Sequence, residues 1–442
     1  RRDLWEAIEA GEYPEWELGL QVFTQEEAEK WSFDILDATK IVPEELVPVQ
    51  IVGRMVLNRN PDNFFAETEQ VAFCAAHVVP GIDFSNDPLL AGRLHSYQDT
   101  QITRLGGPNF HEIPINAPVA QVHNNQRDAL HRQAVHRGRV AYEPNSLAGG
   151  CPFQAGAKGF VSFPEPVEGE KLRGKPEKFA EHYQQATLFW ESQTDWEKAH
   201  IVGAFRFELS KCTVPAIRER MVAGLMNVSA ELAQRVADGL GISVKAPLPK
   251  AIAHAQPPEV TRSAALSLTA RPGDGGIRTR KIAILVADGV EGGSIAALQA
   301  ALVEAGAVAR IVAPRLGAVK TTGGQAGAAP LEADATFENT PPVLFDAVVL
   351  PDGQAAVETL ARIGNTAEFI VNTYRHCKTL LVLGASKTLI DKAGIPATLP
   401  SGEADPGLLF AQGGDIEAAA AAFIAAVGKH RHPVRDQDPP QV

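Results

Sequence analysis

An arginine and a tyrosine one helical turn apart carry the most chemistry in this chain. They are Arg93 and Tyr97, in "RLHSYQDTQITRLGGPN", Arg93 to Asn109. A free phenol has a pKa near 10 and is neutral at pH 7. A guanidinium beside it favours the phenolate. A phenolate is a hard, anionic oxygen donor that suits ferric iron and holds it against reduction. Asn86-Asp87-Pro88 just upstream is a helix start, with an N-cap followed by proline at the first helical position. Gly106-Gly107-Pro108 is a stop. Between them the spacing predicts a helix of about five turns. Arg93, Tyr97, Gln101 and Arg104 then share one stripe, with Thr100 beside it. The same residues also describe a solvated polar face with Tyr97 half in a core, and a four-residue motif alone does not decide between the two.

The elements that must position this stripe fall into zones. Residues 1–170 are rich in Pro, Asn and Asp, with short apolar runs such as "LVPVQIVGRMVL". They read as irregular structure with some strands and a few helices. Residues 171–242 show helical periodicity in "FAEHYQQATLFWESQTDWEKAHIVGAFRFELSKC" and in "AIRERMVAGLMNVSAELAQRVADGLG". Residues 243–278 hold several prolines and "RPGDGG", a linker composition. From 279 to 430 strands such as "KIAILVA", "VARIVAP" and "TLLVLGAS" alternate with helical stretches, which implies a parallel sheet covered on both faces. Residues 431–442 form a tail.

The surroundings of the Arg–Tyr pair add a resemblance. "RLHSYQDTQ" resembles the proximal haem-ligand signature of monofunctional haem catalases. The likeness continues in "VLNRNPDNFFAETEQVAF", "VVPGIDFSNDPLLAGRL", "LGGPNFHEIPIN", "HNNQRDALHR" and "YEPNS", and covers roughly residues 1–240. The α/β zone after a linker is what the large-subunit branch carries. The resemblance therefore implies the C-terminal two thirds of a large-subunit catalase. Its expected fold is α+β multidomain: part of a haem β-barrel core wrapped by long loops, a helical domain, and a flavodoxin-like α/β domain. It implies dismutation of hydrogen peroxide to water and oxygen, haem (b or d) with its iron as cofactor, and a homotetramer. It makes Tyr97 the proximal iron ligand and Arg93 the group that stabilises its phenolate. Ser96, Thr100, Gln101 and Arg104 would line the proximal side of the haem. Tyrosine ligation of haem is a general habit of catalases rather than a deduction from these residues.

Three departures stand out. The residue two before Tyr97 is normally Phe and here is His95, which lies roughly 200° round the helix and reads as a tolerated swap. Cys74 in "AFCAAH" stands where some large-subunit catalases have a His joined to the β-carbon of the haem tyrosine. A thioether to Tyr97 and an inert buried thiol are both open at this stage. His77 makes a CxxH pair with Cys74, weak evidence for a metal. Finally, the family's distal acid–base His and its Asn find no match among the twelve histidines. "VHRGRV", Val135 to Val140, follows the Tyr97 helix and lies in the wrong place. The given chain is thus expected to lack the distal half of the site. A non-catalytic haem-binding or tetramer-scaffold role is the alternative.

The α/β zone resembles the class I glutamine-amidotransferase-like fold, whose active members place a cysteine at a sharp strand-to-helix turn. Here that turn is "LVLGASKTL", with Ser386 nearest the elbow. No GxSxG is present, Cys377 precedes the strand, and His430 and His432 sit in the tail. "ADGVEGG" is not GxGxxG. A hydrolase acting through this domain is therefore the weakest reading, and a packing or channel-shaping role the stronger.

Bulk properties limit the partners. A net charge of −12 and a pI near 5.5 disfavour nucleic acid and anionic membranes. The longest apolar run, "AAAAAFIAAVG", is too short to span a bilayer. The first residues lack the apolar core of a signal peptide. Four cysteines without a CxxC suggest a reducing compartment, hence a cytoplasmic location, with secretion as the other site the family uses.

Overall fold

The computed structural model describes the chain except residues 80, 120–125, 137, 143–144, 148–149, 152, 155, 157–161, 163, 165–171, 173, 175 and 324–330. Parts of "HNNQRDALHR" and "YEPNS" therefore lie outside the described residues.

In the first zone two strands, Glu15–Leu20 and Gln50–Val56, pair antiparallel, with a register shift between Leu18 and Gly19. Their apolar side chains are left uncovered: Trp16, Leu18, Ile51 and Met55 are each about half exposed. The helix predicted from its flanking signals spans Pro88–Leu105. The Asp87 side chain accepts from Leu89 N at its start, and Gly106 ends it at φ 83°. Only glycine enters that left-handed region without a Cβ penalty.

The helical zone differs from its reading as two long helical stretches. Thr194 and Glu197 form a reciprocal capping box that separates Gln184–Ser192 from Asp195–Ser210. Ser229 caps a new start between Pro215–Leu225 and Ala230–Leu240. Trp190, Val202, Val222, Ala233 and Val236 fill a small core among these helices. The Pro-rich segment that follows is pinned to them. Ser263 N donates to Ser192 Oγ at 2.8 Å, and Leu268 N to Glu197 Oε1 at 2.6 Å. Burial alone would raise the Glu197 carboxyl, but the N–H groups of Thr194 and Leu268 outweigh it and hold it below the usual carboxylate range.

The last zone is a six-stranded parallel sheet with the largest core of the chain. From edge to edge the strands are Leu408–Ala411, Thr379–Leu383, Ala347–Leu350, Lys281–Leu285, Val308–Ala313 and the short Ala335–Thr336. The central ones are apolar apart from Lys281 and Thr379 at their starts, as expected of strands covered on both faces. Succession reverses between Lys281–Leu285 and Ala347–Leu350, because the chain first winds to one edge and then returns to the other side. The tail packs back under this sheet. Arg435 is buried against Asp405 at 2.7 Å, and His432 Nε2 lies 2.9 Å from Thr379 Oγ1. Contacts between the zones include Lys281 to Asp3 at 2.9 Å, Ser32 Oγ to Glu259 at 2.9 Å, Arg271 to Glu44 at 2.6 Å, and His200 to Asp436 at 3.1 Å. Among the described residues no helix is long and apolar enough to cross a membrane.

His432 gives this zone an acid-sensitive stability. Burial, then the charge of Arg435, pushes its imidazole from 6.5 down to about 4. The unfolded chain takes up this proton near pH 6.5 and the folded chain only near pH 4, so acid favours unfolding across that window. The expected loss from this residue is about 2 kcal/mol between pH 6.5 and 5. Denaturant unfolding at pH 7, 6 and 5 should show a shallower pH slope for His432→Gln than for the parent chain.

Candidate functional site

The Pro88–Leu105 helix brings Arg93, Tyr97, Gln101 and Arg104 onto one side, as their spacing requires. The four do different work. The Arg93 guanidinium lies over the Tyr97 ring, 5.2 Å from its centroid. This is a cation–π placement. The other flank of Tyr97 meets the Phe73 ring edge-on at 5.3 Å. Tyr97 is half-buried, and Ser96, Thr100 and His95 are exposed.

Gln101 and Arg104 turn toward the protein. Gln101 is buried, and its Nε2 donates to Phe73 O at 2.9 Å. Arg104 donates to Glu69 O, to Val71 O at 2.7 Å and to Gln101 Oε1. The two side chains therefore splint residues 69–73 against the helix. That segment carries Phe73, so the splint also sets the ring that borders Tyr97. Spacing alone placed Gln101 and Arg104 on the stripe but could not show that their polar ends are already engaged with backbone.

Cys74, the next residue, is a buried free thiol beside Phe110 and Ile113. Its Sγ lies 3.8 Å from Gln98 Oε1, one position along the helix from Tyr97. His77 stacks on Phe110 at 5.6 Å and meets His111 edge-on at 5.9 Å. Burial lowers the pKa of both imidazoles, in His111 against an opposing pull from Glu112. No group of three or more metal-binding side chains is found among the described residues.

Beyond the helix lies an anchoring set that residue-by-residue reading did not single out. Asn109 is fully buried, and its Nδ2 donates to the carbonyls of Asp128, Ala129 and Leu130 at 2.9–3.1 Å. Arg132 Nη2 returns a bond to Asn109 Oδ1 at 2.6 Å, and Arg132 also pairs with Glu112. Burial would raise the Glu112 carboxyl, but the N–H groups of Gln133 and Ala134 and the Arg132 charge hold it low. The quoted runs containing Asn109 and Arg132 supplied the family likeness. Nothing in their spacing showed that the two side chains meet.

Among the described residues, the C-terminal zone shows no serine or cysteine nucleophile paired with a histidine. Ser386 is fully buried, and its hydroxyl donates to Pro351 O. Burial, then the Asp436 charge, pushes the Cys377 thiol up to about 12, and its Sγ faces Asp436 Oδ2 at 3.3 Å. Burial likewise lowers His430. The residue at the elbow with a positive φ is Gly384, at 44°, two positions before Ser386.

Comparison with known proteins matches three family models along the chain. Residues 1–149 match the model of the catalase family, 176–240 that of the catalase-related immune-responsive family, and 278–436 that of the C-terminal domain found in long catalases. The chain is 48% identical over 437 residues to "Catalase HPII" of Pseudomonas putida, covering 98% of this chain and 58% of that protein. It is 44% identical to "Catalase C" of Rhizobium meliloti and 43% identical to "Catalase-2" of Bacillus subtilis, again over 98% of this chain, and over 59% and 60% of theirs. The chain thus spans somewhat more than half the length of these relatives.

The free thiol of Cys74 makes one outcome checkable. Tryptic digestion of the chain isolated without haem should return the Cys74 and Tyr97 peptides separately. A single joined peptide, lighter than their sum by two hydrogens, would establish the thioether instead.

Proposed function

The chain belongs to the catalase family, with the C-terminal domain of the long catalases, and from that premise we propose that it acts in the dismutation of hydrogen peroxide to water and oxygen as part of a haem catalase. The observation that carries this reading is the Tyr97 setting: a half-buried phenol with a guanidinium over its ring and an exposed aromatic beside it. A hard oxygen donor next to a fixed cation suits ferric iron. Phe73, 60% exposed, offers the apolar contact that a flat macrocycle needs. These residues fit one face of a haem.

In this reading Tyr97 Oη would hold the iron, with the Arg93 guanidinium over its ring as the neighbouring cation. Haem, of the b or d type, supplies the two-electron redox chemistry by which one peroxide is reduced and a second oxidised. Gln101 and Arg104 act through the 69–73 segment, holding the border of the site rather than touching substrate. Ser96 and Thr100, exposed on the same helix, would line the proximal side of the haem. The proton transfers that peroxide cleavage requires are assigned to no residue of this chain.

The finer architecture follows the same reading. The antiparallel pair, with apolar side chains exposed on both strands, is read as part of the haem β-barrel, since an isolated pair is marginal in water. Without the two-residue edge strand Ala335–Thr336, the strand order at the end of the chain is 2-1-3-4-5, which supports a flavodoxin-like domain. Domain limits at 1–170, 171–242, 243–278, 279–430 and 431–442 belong to this reading; those at 170 and 242 fall in gaps between the family matches and that at 278 beside the start of the third, whereas 430 lies inside it. A homotetramer and a cytoplasmic location complete the proposal, the latter in keeping with four unpaired cysteines.

Absorption spectroscopy of the chain loaded with haem tests the assignment. A Soret band with phenolate-to-iron charge transfer is expected, and Tyr97→Phe should lose the charge-transfer feature and most of the bound haem. A Tyr97→Phe spectrum identical to the parent's would overturn Tyr97 as ligand. Oxygen evolution from peroxide, read on the same samples, separates a catalytic from a scaffold role.

A further inference from the structure

The C-terminal sheet has one place where a parallel α/β fold ordinarily takes a ligand: the crevice beyond the carboxyl ends of two neighbouring strands at which succession reverses. Here those strands are Lys281–Leu285 and Ala347–Leu350. The loops that leave them are joined across the crevice. Glu291 N donates to Asp352 O at 3.0 Å. Gly353, at φ 113°, lies so close to the opposite loop that a Cβ there would stand 2.5 Å from Gly289 O. Behind them the third loop brings Gly384 against the Asp352 carboxylate: a Cβ on Gly384 would fall 2.1 Å from Asp352 Oδ2 and 2.4 Å from Oδ1. The carboxylate is fixed, because Oδ1 accepts from Gly353 N at 2.7 Å and from Ala385 N at 3.0 Å.

We propose that Asp352 and Gly384 form a reciprocal plug, with the carboxylate standing in the volume that a side chain at the strand-to-helix elbow would need. The plug keeps the elbow free of any nucleophile and closes the crevice to ligands. Gly384 is glycine for two separable reasons, its positive φ and the Asp352 oxygens at its α-carbon. Only the second is relieved by changing Asp352. The inference concerns the C-terminal domain alone and does not rest on the haem reading.

A double-substitution cycle in the full chain tests it. Gly384→Ala should be destabilising, through strain and overlap together. In an Asp352→Ala background the same change should cost less, by a coupling that lowers the unfolded fraction about tenfold relative to additivity. Additive effects would overturn the plug. A chemical readout stands beside it. Gly384→Cys combined with Asp352→Ala should present a thiol that iodoacetamide modifies at peptide 379–387 in the native chain, at a rate about tenfold above that of Gly384→Cys alone. Equal rates in the two variants would overturn the proposal. If Gly384→Cys alone does not fold while the double variant does, the overlap is demonstrated directly. If neither variant folds, Asp352 does not account for the glycine and the proposal fails.

Discussion

A polar helix face can be packed against protein only if its side chains find hydrogen-bond partners, and the first half of this structure is built on that condition. Gln101 and Arg104 meet it by capturing the carbonyls of Glu69, Val71 and Phe73. Each captured carbonyl fixes one more residue of a segment with no regular ladder of its own. An unpaired buried amide or guanidinium would cost about 1–3 kcal/mol, so the helix and the segment hold each other in place. Phe73 and Cys74 are set by this contact, and through Phe73 so is one flank of Tyr97. The geometry at the phenol is therefore decided by residues one and two turns away from it.

The second half rests on a different condition. Its six strands are joined by parallel pairing, and the three central ones form a mainly apolar layer whose side chains are almost wholly buried. Such a layer tolerates polar groups only when they are paired, and the tail supplies the pairing. Arg435 reaches Asp405 as well as the carbonyls of Tyr374 and Lys378. His432 is held neutral against Thr379. The same burial that makes Cys377 and His432 poor catalysts makes them serviceable packing groups. The titratable residues of this domain therefore work as struts.

Legibility in the sequence followed the range of the signal. The Pro88–Leu105 helix was readable from six residues at its ends, because capping and termination are local. The central strands were readable because fully buried strands are uniformly apolar. The breaks at Thr194 and Ser229 were equally local, yet apolar periodicity running through both of them hid the caps. The elbow was placed at Ser386 from its chemistry, whereas backbone conformation puts it at Gly384. What no reading of spacing could supply were contacts between distant segments: Asn109 with 128–130, Gln101 with Phe73, Asp352 with Gly384. Such contacts depend on where loops cross.

Those crossings also explain how one chain holds two unlike fates for a possible site. Around Tyr97 the neighbours are one exposed aromatic, Phe73, and a cation over the ring, so a large planar partner would remove apolar surface from water at little steric cost. Around Gly384 the neighbours are backbone and a carboxylate already bonded to two N–H groups, so any partner must first break those bonds and leave the donors unpaired. The difference is one of prior commitment. Where the local hydrogen bonds are made within the loops, the crevice is structure, and where they are made behind the surface, as under Tyr97, the surface is left for something else to bind.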